Sequence, residues 1–199
     1  MKLSLKCPRV SPKESSRRSL VVVKGQTEMF KRIQKLDWRI MHFVAELERG
    51  VFFRKIMKLL TTIGNGGIVW FVVILCLFVF KINLRAASAM LLALTLSLLI
   101  GNVFLKNLIQ RERPFQQNPN IEALISPPSD HSCPSGHAYS SFSAAVALIC
   151  ATGWVATPAL LLACAIAYSR VYFCVHFPSD IFSSFLLGIG TGVIAFQIL

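Results

Sequence analysis

The chain has 199 residues, with 21 Lys plus Arg against 9 Asp plus Glu and 54% hydrophobic residues, and its mean hydropathy is +0.60. This composition excludes a disordered tail protein and is too apolar for an ordinary soluble enzyme. Fifteen of the 21 basic residues precede position 60, whereas residues 132–199 carry one basic and one acidic side chain, Arg170 and Asp180. The net charge of +12 therefore points to anionic lipid rather than nucleic acid as the partner of the basic part.

In chain order, residues 1–28 read as a basic head, expected to be disordered. Its apolar stretch at 20–23 is far shorter than the core of a signal peptide, so the head is expected to be retained. Residues 29–61 place Met29, Ile33, Leu36, Ile40, Phe43, Val44 and Leu47 at helical spacing with charged residues between them. That pattern predicts amphipathic helices, joined at Gly50 and lying in the membrane interface. Making the region a span would bury several charges at roughly 2.5–3.5 kcal/mol each.

From residue 62 onward, charge-poor regions yield five predicted crossings at about 62–80, 86–105, 137–152, 157–175 and 181–199, judged against the roughly 20 residues that cover a bilayer core. Gly153 and Pro158 divide the third from the fourth, because a turn tolerates a missing amide and unusual φ. The expected fold is all-α: a multi-pass membrane helical bundle of five or six spans, residues 62–199, behind interfacial amphipathic helices. Six Cys form no CxxC pair, and neither a disulfide framework, a zinc site nor a cofactor is expected.

The only long polar connection, 106–136, holds five prolines, and functional residues are expected there. By the span count, the ends of spans two and four and the starts of three and five share one membrane face. Lys106, Arg113 and Arg170 then converge with His137, His176 and Asp180. Ionisable groups at such a depth are costly and usually functional. Forked guanidinium donors and a point-charge ammonium suit a phosphate. Helix starts near Ser135 and Gly136 add amide donors, with glycine permitting close backbone approach.

His176 and Asp180 stand one turn apart, so a carboxylate could fix one imidazole nitrogen and leave the other as a nucleophile. His137 could protonate the leaving oxygen. Singly, each residue has a structural reading: Ser135 as an N-cap, Lys106, Arg111 and Arg113 as a basic stripe at headgroups, His176 and Asp180 as interfacial groups. Their joint placement on one face favours a site. Arg111, Glu112, Asp130 and His131 read as loop charges.

Lys106-x6-Arg113-Pro114, Pro134-Ser135-Gly136-His137 and Ser169-Arg170-x5-His176-x3-Asp180, in that order, resemble the three signature motifs of the type 2 phosphatidic acid phosphatase (PAP2) superfamily. The resemblance implies Lys106, Arg113 and Arg170 as phosphate ligands, with Ser135 and Gly136 adding hydroxyl and amide donors. It implies His176 as the nucleophile forming a phosphohistidine, Asp180 as its orienting partner and His137 as the general acid that later activates water. It also implies chemistry without a metal. Cys133 departs from the aromatic residue that bacterial members often carry there.

The implied substrate is a membrane lipid phosphate or diphosphate, with undecaprenyl diphosphate as the first choice. Phosphatidic acid, phosphatidylglycerol phosphate, a lipid A phosphate and transfer to a second lipid are the alternatives. A plasma or inner membrane location is expected. Family members with six spans place the site on the outer face, and that side is taken as the expectation. Five spans with a basic amino terminus held inside would turn the site inward. Oligomeric state is not legible in the sequence.

Overall fold

Long runs of Leu, Val, Ile, Phe and Ala can satisfy their backbone groups in an apolar solvent only within helices or closed barrels. A computed structural model describes residues 28–47 and 50–199, whose regular elements are all helices, with no strand among the described residues. Apart from Glu28, the basic head expected over residues 1–28 lies outside the described residues. Helices α1 (Glu28–Glu46), α2 (Val51–Ile63), α3 (Ile68–Val79) and α4 (Leu84–Ser97) come first. A π-helical stretch, Leu98–Leu105, carries α4 into α5 (Lys106–Ile109), followed by α6 (Pro114–Gln117), α7 (Gly136–Thr152), α8 (Thr157–Tyr172) and α9 (Pro178–Ile198).

Among the described residues, three stretches are long and apolar enough to cross a membrane: Leu84–Gln117, Gly136–Tyr172 and Pro178–Ile198. The pair Val51–Ile63 and Asn65–Val79 would add a fourth, bent by 56°. The 37 residues of Gly136–Tyr172 would measure about 56 Å if straight, nearly twice a bilayer core. Gly153, with φ 71°, breaks them. A Cβ built on Gly64 would meet Ile166 near the end of α8 at 2.8 Å and His137 at the start of α7 at 3.1 Å. These helices therefore fold back as a hairpin.

Helices appear close to the predicted positions from residue 84 onward. The predicted helix at 62–80 differs, since α2 ends at Ile63 and the chain turns through Asn65–Gly67 before α3. Gly66 and Gly67 take φ of 57° and 74°, a region that glycine enters without a Cβ penalty. Left alone, α3 has 12 residues and is about 18 Å long.

Helix α7 is central and packs against α4, α8 and α9. Small residues allow this close approach, since van der Waals packing rather than hydrophobic burial holds helices together in lipid. Ala86, Ala89 and Ala93 of α4 and Ala138, Ala144 and Ala145 of α7 are fully buried. The α9 face Gly188-x3-Gly192 meets α7 directly, because a Cβ on Gly188 would fall 2.5 Å from Phe142 Cβ and one on Gly192 2.7 Å from the Ser143 carbonyl. Trp70 ties α3 to this core by donating to Ser141 Oγ at 3.0 Å. Outward-facing Leu75, Leu161, Phe182 and Leu186 are exposed.

Helices α1 and α2 meet the bundle differently. Asp37, Met41 and Val44 are the buried residues of α1, which packs on α8 and α9. Met57 of α2 packs with Tyr172, Phe173 and Val175, at and just past the end of α8.

Gly192→Val should lower the thermal stability of detergent-purified protein, at roughly 1–3 kcal/mol for overpacking. Gly190→Ala, at a position with nothing within 4 Å, should leave it almost unchanged. Melting curves monitored by tryptophan fluorescence check the pair.

Candidate active site

Each predicted site residue stands where a helix starts or stops. Lys106 follows the π-helical stretch, Arg113 precedes α6, and Gly136 and His137 open α7. Arg170 lies in the last turn of α8, and Asp180 in the first turn of α9, where Pro178 occupies an initial position. Lys106, Arg113, Gly136, His137, Arg170 and His176 all line one cavity of about 690 Å³. Phe71, Leu94 and Leu98 line it as well, so the chamber combines cations with an apolar wall.

His176 is 1% exposed, and both of its nitrogens are engaged. Nδ1 lies 2.7 Å from the Ser132 carbonyl, which can only accept. Arg113 Nη1, which can only donate, lies 3.1 Å from Nε2. These partners assign a neutral ring with its proton on Nδ1 and its lone pair on Nε2.

Burial is the main force lowering the His176 pKa to about 4, and the charges of Arg113 and Arg170 push the same way while Asp180 opposes them. The Asp180 carboxylate lies 3.7 Å from Nδ1, close enough to act on the ring's charge but beyond hydrogen-bond distance. Ser132 links the two residues: its carbonyl accepts from His176 Nδ1 and its hydroxyl donates to Asp180 Oδ2.

Ser135 and Asp180 stand behind the cavity wall. Ser135 is the N-cap of α7, yet its side chain makes no capping bond, and its amide donates to Ser184 Oγ at 2.8 Å. Its hydroxyl and the Arg170 Nε are buried without a hydrogen-bond partner. Arg170 Nη1 donates to the Thr61 hydroxyl. Buried polar groups are normally satisfied, and these two donors depart from that rule. His137 Nε2 pairs with Asn65 Oδ1 at 2.7 Å.

Two residues read as loop charges belong to this site. Asp130 bridges Lys106 and Arg113, with Oδ1 accepting from Arg113 Nη2 at 2.6 Å. Burial alone would raise its pKa, but the hydrogen bond and charge of Lys106, together with Arg113, hold it at about 2. Arg111 reaches Asp180 Oδ1 at 2.6 Å and Asp37 Oδ2 at 2.7 Å. Asp37, Thr61 and Asn65 are further partners missed by sequence reading. The only signal was an unexplained Asp at helical position 37 inside a basic amphipathic stretch.

Residues 86–199 match the sequence profile of the PAP2 superfamily. The chain belongs to the PAP2 superfamily. One relative, the undecaprenyl-diphosphatase of Sulfolobus acidocaldarius, is 32% identical over 133 residues, covering 65% of this chain and 63% of that protein. A second, the decaprenylphosphoryl-5-phosphoribose phosphatase of Mycolicibacterium smegmatis, is 43% identical over 79 residues, 40% of this chain and 42% of that one. The matches thus span less than two thirds of either relative. The crystal structure of a transmembrane PAP2-type phosphatidylglycerolphosphate phosphatase from Bacillus subtilis superposes with a TM-score of 0.69 at 23% identity, covering 84% of this chain and 86% of that one. This likeness establishes a shared PAP2 fold.

Because the folded His176 titrates near 4 against an ordinary 6.5, the unfolded chain binds the proton first as pH falls. Its contribution to stability is complete above about pH 6.5 and is lost as pH drops toward 4. Melting temperatures in detergent should therefore fall less steeply between pH 6.5 and 4 in His176→Gln than in wild type.

Proposed function

We propose that this PAP2 protein is a metal-independent membrane phosphatase that hydrolyses a polyprenyl-linked phosphate or diphosphate, with undecaprenyl diphosphate as the leading substrate. The observation that carries the chemistry is the fixed His176 tautomer: Nδ1–H on the Ser132 carbonyl and an Nε2 lone pair beside Arg113, in a cavity shared with Lys106 and Arg170. The apolar wall at Phe71, Leu94 and Leu98 suits a lipid whose phosphate enters a basic chamber. The names of the Sulfolobus and Mycolicibacterium relatives support a polyprenyl carrier.

In this reading Lys106, Arg113 and Arg170 hold the phosphoryl oxygens, with the Ser135 hydroxyl and Gly136 backbone adding donors. The guanidinium fork and the ammonium stabilise charge as it develops on those oxygens. His176 Nε2 attacks phosphorus, the bond to the leaving oxygen breaks, and His137 delivers a proton to that oxygen. Asp180 stabilises the imidazolium charge. His137 then takes a proton from water, the hydroxide attacks phosphorus, and the P–N bond breaks to release inorganic phosphate and restore neutral His176.

Helices α1 and α2 reach the bundle at its site end, through Asp37 at the start of α9 and Thr61 at Arg170. This favours five crossings, by the bent pair α2–α3 and by α4, α7, α8 and α9, with α1 lying in the headgroup layer. The amino terminus then shares the site's side. Its 15 basic residues before position 60 favour the cytoplasmic face, and would meet anionic lipid there, in place of the outer face first expected.

Detergent-solubilised protein in EDTA should release phosphate from a polyprenyl diphosphate faster than from phosphatidic acid. His176→Ala should reduce release to the uncatalysed level, and His137→Ala should lower kcat by about 10²–10⁴-fold. Equal release by His176→Ala and wild type, or release only with added metal, would contradict the proposal. For the side, Glu112→Cys in a cysteine-free background should resist a membrane-impermeant maleimide added to intact cells; labelling there would restore the outer face.

A further inference from the structure

Asp180 is fully buried and would place an uncompensated negative charge beside His176 were it not for Arg111. Arg111 Nη1 donates to Asp180 Oδ1 at 2.6 Å and to Ser179 Oγ at 2.7 Å, and Nη2 donates to Asp37 Oδ2 at 2.7 Å. The guanidinium also lies over the Phe177 ring, with Cζ 4.1 Å from its centroid. A fork split between two carboxylates and stacked on an aromatic face has little freedom to swing away. Asp37 is itself anchored: it is 2% exposed, its Oδ1 accepts the Ser179 amide at 2.9 Å, and its Oδ2 accepts the Ser179 hydroxyl.

We propose that Arg111, held in place by Asp37 of α1, is a positioning residue for the nucleophile: it compensates Asp180 so that His176 remains a neutral imidazole with its Nε2 lone pair toward the cavity. This rests on the reading of His176 as the nucleophile. It makes α1, upstream of the matched segment 86–199, part of the catalytic apparatus. The groups facing His176 are Arg113 from the start of α6, Arg170 from α8, His137 from α7 and Asp180 from α9. Asp180 is the only anion among them, so the fraction of its charge that Arg111 cancels sets how strongly the ring attracts a proton.

The test reads the ring directly. The chain has four histidines, and 15N-histidine NMR of the protein in detergent, with His176 assigned by its loss in His176→Gln, gives each protonation midpoint. In Arg111→Gln the His176 midpoint should rise by about one pH unit or more, and Arg111→Lys should return it most of the way to wild type. In Asp37→Asn, which weakens the anchor but keeps the Arg111 charge, it should rise by a smaller amount. The acid limb of kcat should move with the midpoint, while KM changes little.

An unchanged midpoint in Arg111→Gln would overturn the inference, whatever happens to kcat. Equal upward shifts in Arg111→Gln and Asp37→Asn would also overturn it, as the sign of general loosening. Loss of the folded species in all three variants on size exclusion would reduce the triad to a folding element and overturn it too. A wild type whose midpoints behave as described but which releases no phosphate would remove the catalytic reading and leave the electrostatic one standing.

Discussion

Burying cations without an adequate set of anions is the constraint that the rest of this structure answers. Lys106, Arg113 and Arg170 are each at most 5% exposed, and the effective penalty for withdrawing an ion from water is several kcal/mol. Their mutual repulsion adds to that cost. Asp130 offsets two of them at once, while Asp180 and Asp37 are occupied by Arg111. Arg170 faces only the Thr61 hydroxyl through Nη1 and leaves Nε unpartnered. A site left so positive gains more from an anionic phosphate than a neutral pocket of the same shape would. Asp130 is the one carboxylate in the cluster with a half-exposed side chain, so its two cationic partners meet the cavity through the least buried of the anions.

The bundle supplies the rigidity that such a cluster needs. Glycine and alanine contacts between α4, α7 and α9 bring backbones together with little slack, and the helix ends that carry His137, Arg170 and Asp180 inherit that precision. At the same end, α1 and α2 contribute Asp37, Thr61 and Asn65 to groups that family motifs alone would leave incomplete. Fold and chemistry therefore meet at the junction between the buried helices and the amphipathic pair.

Much of this was legible in the sequence, and the limits have physical causes. The motif residues could be placed together because helix ends alternate between membrane faces, a consequence of bilayer thickness and turn chemistry that needs no side-chain detail. The bend at residues 64–67 escaped because hydropathy averages over a window and Asn65-Gly66-Gly67 sits between strongly apolar neighbours. Arg111 and Asp130 were read as loop charges because ion pairing across sequence separations of 69 and 24 residues leaves no periodic trace. Ser135 was open to a capping role, and only its lack of a capping bond beside an unpartnered hydroxyl separates the two readings. The approach of Ser132 to His176 comes from the fold of a proline-rich loop and had no sequence signal at all.

The central claim is that His176 Nε2 carries the phosphoryl group between substrate and water. Rapid quench of a single turnover with polyprenyl diphosphate bearing 32P at its terminal phosphate tests it most directly. The account predicts an alkali-stable, acid-labile label on the peptide containing His176, absent from His176→Ala and longer-lived in His137→Ala. Complete hydrolysis within a turnover, with no label on the protein at any quench time in wild type or His137→Ala, would contradict it and assign the attack on phosphorus to water.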